Sequence, residues 1–202
     1  ILKTNLIKYR AMLSLFAEYT DLQPRISDYI LAHGGVPRRE KFSTILRDLV
    51  KTTPTEALLT DYLQRYAGAL EHELAVAPLV EGIETFLAAD GRSVYVSSSA
   101  PEAEVALQLA RRSLSAYFAA VYGSQTPKAE ALRQVAKAHH GAQIVFFGDA
   151  VGDLKAAQEV GVAFVAVINE RDNFAQHDVV KLRDFTSLSE VERSIQIAVQ
   201  RL

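Results

Sequence analysis

The chain contains no cysteine, which excludes disulfides, thiolate metal sites and cysteine nucleophiles together. It lacks a charge excess of either sign: 22 Lys and Arg stand against 24 Asp and Glu, mixed along the chain, for a net charge of −2. Nucleic-acid binding draws its affinity from a concentrated basic face, so that class is set aside. No uninterrupted apolar stretch approaches the roughly 20 residues that cross a bilayer. No basic region followed by an apolar run marks a signal peptide at the start. Neither a G-x-S-x-G elbow nor a G-x-x-x-x-G-K-[ST] loop occurs. The five histidines, His33, His72, His139, His140 and His177, show no metal-ligand spacing and no nucleophile partner, and are read as surface or loop residues. These absences predict a soluble cytoplasmic protein without nucleic-acid or membrane partners. They leave the oligomeric state unread.

What is present is a core-forming composition. Hydrophobic residues make up 49% of 202 residues, which suits one α/β domain with a modest insertion rather than a disordered chain. The chain begins at Ile1, not at methionine.

Two halves differ in period. From residue 5 to about 90 the apolar positions recur at three- and four-residue steps, as in Leu6, Tyr9, Leu13 and Phe16, then Phe42, Ile45, Leu46 and Leu49, then Leu58, Leu59, Tyr62, Leu63 and Tyr66. Gly34-Gly35, Pro37 and Pro54 punctuate them, and Ala77-Pro78 reads as a hinge. This half is predicted to be a small helical subdomain. From Ser93 onward, short apolar runs (93–97, 119–122, 144–147 and 162–168) alternate with helical stretches near 101–114, 128–139 and 153–160. Such alternation predicts a Rossmann-like, doubly wound parallel sheet covered on both faces. Ser99-Ala100-Pro101-Glu102 has capping-box spacing, Thr126-Pro127 offers a cap followed by proline, and Gly161 sits where a helix ends. The tail from Ser189 reads as a closing amphipathic helix.

In open α/β sheets ligands lie beyond the carboxyl ends of the strands. After the first run comes Ser97-Ser98-Ser99, whose hydroxyls and N–H groups suit a phosphate, or merely cap a helix. After the second comes Lys128 in the first turn of a helix, where the macrodipole favours anions. A bound anion explains it, as does a solvated surface position. After the third comes Gly148-Asp149-Ala150-Val151-Gly152-Asp153. Two carboxylates four residues apart suit Mg²⁺, which accepts one or two carboxylates plus a substrate phosphate. The competing reading is that Asp153 caps the next helix, which leaves Asp149 unexplained.

Serine, lysine and paired aspartates in this order resemble the haloacid dehalogenase-like superfamily, in its phosphoglycolate phosphatase and β-phosphoglucomutase-like branch with a helical cap. The resembling stretches are YVSSSAPEAEV, YFAAVYGSQTPKAEAL and VFFGDAVGDLKAAQEVGVAFVAV, with ILKTNLIKYRAML and HGGVPRREKF in the helical half. The resemblance implies a core of residues 1–9 and 79–202 and a cap of 10–78, hinged near Tyr19 and 77–82. It implies an Mg²⁺-dependent phosphatase acting on a small phosphorylated metabolite, such as a sugar phosphate. Asp149 is then the metal ligand, with Asp153 completing the metal site or orienting Lys128. Ser98 becomes the hydroxyl donor to the phosphoryl oxygens with the Ser99 N–H beside it, and Lys128 stabilises the charge of transfer. Arg38 or Arg39, with Arg38 favoured, reads the leaving group.

The family's nucleophile is an aspartate ending the first strand, followed two residues later by a second aspartate. No Asp-x-Asp occurs in this chain. The expectation is that this strand lies upstream of Ile1, since a twisted sheet without its central strand would leave two edges unpaired. The alternatives are a catalytically silent ligand- or partner-binding protein and a phosphomutase.

Overall fold

The computed structural model describes residues 1–168 and 172–202. It divides into two compact units, Leu2–Pro78 and a second formed by Ile1 with Leu79–Leu202. The boundary thus differs from the expected one, because residues 2–9 group with the helical unit. The physical reason is α1, which runs unbroken over Asn5–Ser14 and packs Ile7 and Tyr9 against the helical core.

The helical unit continues with α2 (Gln23–Ala32), α3 (Arg38–Thr44) and α4 (Glu56–Val76). A π-helical stretch, Ile45–Val50, extends α3 and stops at Lys51, whose φ of 63° is left-handed. Thr55 starts α4 by accepting the Leu58 N–H at 3.3 Å. Leu59, Tyr62, Tyr66, Leu70 and Leu74 then recur at helical spacing on its buried face. The core of the unit is aromatic: the Phe16 ring lies 5.0 Å from Tyr62 and 6.1 Å from Phe42, and Phe42 stands edge-on to Tyr66 at 5.5 Å. Such pairs add about 1 kcal/mol each beyond the area they bury.

The second unit comprises α5 (Ile83–Ala89), β1 (Val94–Ser97), α6 (Glu102–Ala110), β2 (Phe118–Tyr122), α7 (Lys128–Ala138), β3 (Val145–Gly148), α8 (Val151–Val160), β4 (Ala163–Val167), β5 (Val180–Leu182) and α9 (Leu188–Gln200). All strand pairs are parallel, β1 with β2, β3 with β4, and β4 with β5. Successive residues of β3 and β4 point to opposite faces. Val145, Phe147, Ala163, Val165 and Val167 join a cluster with Ile83 and Phe86 of α5 and Val191 and Ala198 of α9. Phe146, Phe164 and Ala166 join a second cluster with Leu132 of α7 and Leu154 and Ala157 of α8. Helices on both faces are what makes β4 fully buried along its length. The unit is Rossmann-like, as the sequence predicts.

Four local details add to the sequence reading, and two of them, the helix caps, correct it. The sheet is in two parts, with β1 paired only to β2 and β3 only to β4 among the described residues. The third strand of the larger part, β5, escapes the apolar-run criterion because it is three residues long with Lys181 at its centre. The capping box at Ser99–Glu102 does not form: α6 begins after Pro101 without a side-chain cap, and the Ser98 hydroxyl accepts the Ala100 N–H instead, at 3.1 Å. Nor does Thr126 cap α7, since Pro127 itself occupies the cap position. Gly161 does end α8, in the left-handed region at φ 75°. No helix among the described residues is long and apolar enough to cross a membrane.

Candidate active site

The loops that leave β1 and β2 are stitched together by backbone. The Ser98 N–H donates to the Tyr122 carbonyl at 2.9 Å, and the Ser124 N–H to the Ala100 carbonyl at 2.8 Å. Gly123 makes this possible, because a Cβ there would overlap the backbone of Glu102 at the start of α6. The serine loop and the loop leading to Lys128 therefore form one surface.

Lys128 is the first residue of α7 and reaches across to α8, where its ammonium pairs with Asp153 Oδ1. The pair is sheltered, with side-chain exposures of 18% for Lys128 and 3% for Asp153. Asp153 Oδ2 accepts two backbone N–H groups, from Asp149 at 3.1 Å and Ala150 at 3.0 Å. Its two oxygens thus serve the lysine on one side and the start of α8 on the other. Asp153 stands three residues into α8 after the Ala150 cap position, so it closes the helix start from inside the first turn. The glycine of the loop has a matching reason: a Cβ on Gly148 would overlap the Asp153 side chain. Gly148 and Asp153 are one packing unit, and they leave Asp149 at the end of β3.

The serines divide. Ser98 Oγ is engaged in its own turn by the Ala100 N–H. Ser97 Oγ, at the end of β1, is buried without a hydrogen-bond partner, alone among the described side-chain polar atoms. A buried hydroxyl left unbonded costs about 1–3 kcal/mol, and such groups call for an explanation by a ligand, water or ion. The resemblance singles out Ser98 within the triple serine, whereas hydroxyl burial singles out its neighbour.

Asn173 is a further residue of the site that the sequence patterns do not mark. It lies in the loop after β4 and donates its side-chain amide to the Asp149 carbonyl at 2.8 Å. Its one available signal is position, since it follows the fourth apolar run as the other site residues follow the first three. Residues 169–171 lie outside the described residues.

In the helical unit, the Arg39 guanidinium is held by both oxygens of Glu56 at 2.6 Å, on the exposed surface. Arg38 lies over the Tyr66 ring, 5.1 Å from its centroid. Lys41, 8% exposed, donates to the Gly34 carbonyl at 3.2 Å and so helps shape the GGVPRRE segment. His139, expected as a surface or loop residue, is half-buried and bonded through Nε2 to the Tyr95 hydroxyl at 2.6 Å. Among the described residues no three His, Cys, Asp or Glu side chains are grouped to hold a metal ion. The oxygen donors at the end of β3 fit a hard divalent cation that keeps waters and shares a substrate phosphate, and not an all-protein cage.

The β-phosphoglucomutase of Clostridium difficile is 15% identical to this chain and superposes with a TM-score of 0.76 over 100% of this chain and 95% of its own. A predicted phosphoglycolate phosphatase from Haemophilus somnus gives 16% identity and a TM-score of 0.71, covering 95% and 93%. A variant of CbbY from Rhodobacter sphaeroides, in complex with xylulose-(1,5)bisphosphate, gives 17% and 0.70, covering 93% and 91%. At these identities the likeness speaks for the fold. No curated protein matches the chain. The family model for haloacid dehalogenase-like hydrolases matches residues 1–167, which span the helical unit and the serine, lysine and aspartate loops just described. The chain belongs to the haloacid dehalogenase-like hydrolases.

Proposed function

We propose that this protein is an Mg²⁺-dependent phosphatase acting on a small phosphorylated metabolite. The observation that carries the reading is the sheltered Lys128–Asp153 pair, which joins two strand-end loops next to Asp149, with the buried, unbonded Ser97 hydroxyl at the end of β1. A phosphoryl group at this place would meet a hydroxyl donor, an ammonium and a carboxylate-held cation, the complement that phosphoryl transfer requires. Asp149 would hold the ion. Asp153, with both oxygens already engaged, acts by orienting Lys128 and closing the start of α8. When bound, Mg²⁺ would offset the negative charge of a carboxylate nucleophile and of the phosphoryl oxygens.

The nucleophile in this proposal is an aspartate on a strand encoded before Ile1. Support comes from the divided sheet, in which β1 and β3 share one core cluster through Val96, Val145 and Phe147 yet are not paired with each other. An added strand would satisfy two open edges. Its carboxylate oxygen attacks phosphorus as the bond to the leaving oxygen breaks and that oxygen takes up a proton from the second aspartate of the motif. That aspartate recovers a proton from water in the next step. Water then attacks the phosphorus of the aspartyl-phosphate, releasing phosphate and the free carboxylate. Ser97 takes the hydroxyl-donor role in place of Ser98, and Lys128 steadies the transferring oxygens. Arg38, the first arginine after Gly35-Val36-Pro37, is proposed as the reader of the leaving group, as the resemblance of the GGVPRRE segment implies.

The residues encoded immediately before Ile1 test the reading. An apolar strand ending in Asp-x-Asp supports it, and any other ending sinks the catalytic proposal in favour of a silent binding protein. A second reading, a phosphomutase, draws on the fold shared with the C. difficile β-phosphoglucomutase and on Arg38 as a grip for a second phosphate. Release of inorganic phosphate from a sugar monophosphate supports hydrolysis. Conversion to an isomeric phosphate without release supports the mutase.

A further inference from the structure

Asn173 makes a bond that a residue in an ordinary connecting loop would have no reason to make: its amide Nδ2 donates to the Asp149 carbonyl at 2.8 Å. The residue is anchored on both sides. Before it, Asp172 accepts the Phe174 N–H at 2.7 Å and pairs with Lys181 of β5 at 2.8 Å. The Lys181 ammonium and that N–H hold the Asp172 carboxyl below the usual carboxylate range, so it stays charged at neutral pH. After it, Phe174 is fully buried, with its ring 5.6 Å from Phe164 of β4. The Asn173 amide is thereby presented from a short, fixed segment.

The bond completes a clamp. The peptide unit between Asp149 and Ala150 has its oxygen held by Asn173 and its N–H held by Asp153 Oδ2 at 3.0 Å. The preceding peptide has its N–H held by the same Asp153 oxygen at 3.1 Å. Both backbone dihedrals of Asp149 are therefore set from outside the residue, and backbone dihedrals decide which side-chain rotamers are open. The side chain at 173 is a donor to this carbonyl. A carboxylate or an aliphatic side chain there would remove the donor that Asn173 gives the Asp149 carbonyl.

We infer that Asn173 is a positioning residue for the acidic loop, fixing the direction in which the Asp149 carboxylate is presented to a divalent cation. The inference rests on the proposed reading of Asp149 as the ion's ligand. Hydrogen-bonding partners that orient a metal's ligands typically change metal affinity by about 10- to 100-fold when lost.

The test is Mg²⁺ binding by calorimetry on the full-length protein, carried out on wild type, Asn173→Ala, Asn173→Leu and Asp149→Asn. The expected result is a dissociation constant about tenfold weaker in both Asn173 variants. Their melting midpoint should fall by no more than about 4 °C, as for loss of one hydrogen bond. Affinity within about twofold of wild type in the folded Asn173 variants, alongside lost binding in Asp149→Asn, overturns the positioning role and leaves the metal reading intact. No Mg²⁺ binding by wild type, or unchanged binding by Asp149→Asn, overturns both. Should Ala and Leu fail to fold, Asn173→Ser, which keeps a donor on a shorter reach, faces the same titration: weakened binding supports the positioning role, and wild-type affinity overturns it.

Discussion

The two units bury different things: aromatic rings in one and a lysine–aspartate pair in the other. Three ion pairs of the helical unit, Arg39 with Glu56, Arg47 with Asp48 and Arg65 with Asp61, ride on the surface with side chains about half exposed or more. So do Arg133 with Glu159 and Arg201 with Asp178 in the α/β unit. The helical unit has a core of aromatic rings with two tyrosines, Tyr62 and Tyr66, buried in it. In the α/β unit the pair that matters, Lys128 with Asp153, is sheltered at the strand ends, and a buried hydroxyl with no partner, that of Ser97, ends β1. Exposed pairs contribute about 0–1 kcal/mol and are replaceable. A sheltered pair costs desolvation and is strongly destabilising to break. A fold retains such a pair for what it does, and here it joins the loops proposed to hold a phosphate.

The sharpest way to break this contrast is Lys128→Met. It should lower phosphatase turnover by about 100-fold or more, as for loss of one charge-stabilising donor. It should also destabilise the α/β unit by about 3 kcal/mol, since Asp153 is left buried without its cation; turnover with phosphate analogues and denaturant unfolding read the two effects. Next in size is the serine pair. Ser97→Ala should reduce kcat by about tenfold or more while removing an unbonded polar group at little cost in stability. Ser98→Ala should leave kcat near wild type and cost at most about 1 kcal/mol for its turn bond. The reverse order would return the donor role to Ser98. Smaller still is Arg39→Ala, expected to change stability by less than about 1 kcal/mol and the KM for substrate by little. A large rise in KM would move the substrate reader from Arg38 to Arg39.

The helical core offers a test of its own in alkali. Burial pushes the Tyr62 phenol up to about 12 from an ordinary value near 10. The folded state therefore holds the proton more tightly than the unfolded chain. That contribution to stability is complete below about pH 10 and is lost as pH rises towards 12. Unfolding of the helical unit followed between pH 9 and 12 should weaken across that window, and Tyr62→Phe should flatten the change. An equally steep loss in Tyr62→Phe would assign it to other groups.

Much of this molecule is legible in its sequence, for physical reasons. The helical period from Leu6 to Tyr66 and the apolar runs that become β1 to β4 are visible because burial on one or both faces forces those patterns. Asp149 and Asp153 stand out because a strand end with small residues between carboxylates is rare outside a site. Three features are not legible. β5 is too short, and too interrupted by Lys181, to signal itself. Ser97 differs from Ser98 only in which hydroxyl the turn consumes, a matter of one residue's rotation. Asn173 acts on a carbonyl 24 positions away in the chain, and no local pattern encodes such a partner. Periodicity reports what a residue buries, whereas clamps and orphaned hydroxyls depend on how distant loops meet.

The central claim is that Asp149 presents its carboxylate to Mg²⁺ for phosphoryl transfer. The most direct test compares the full-length wild-type protein with Asp149→Asn for hydrolysis of an aryl phosphate, across an Mg²⁺ titration and with chelator. Wild-type turnover should vanish with chelator and return with Mg²⁺, and Asp149→Asn should lose about 100-fold or more at every Mg²⁺ concentration. Full activity in Asp149→Asn, or wild-type turnover indifferent to chelator, would contradict the claim.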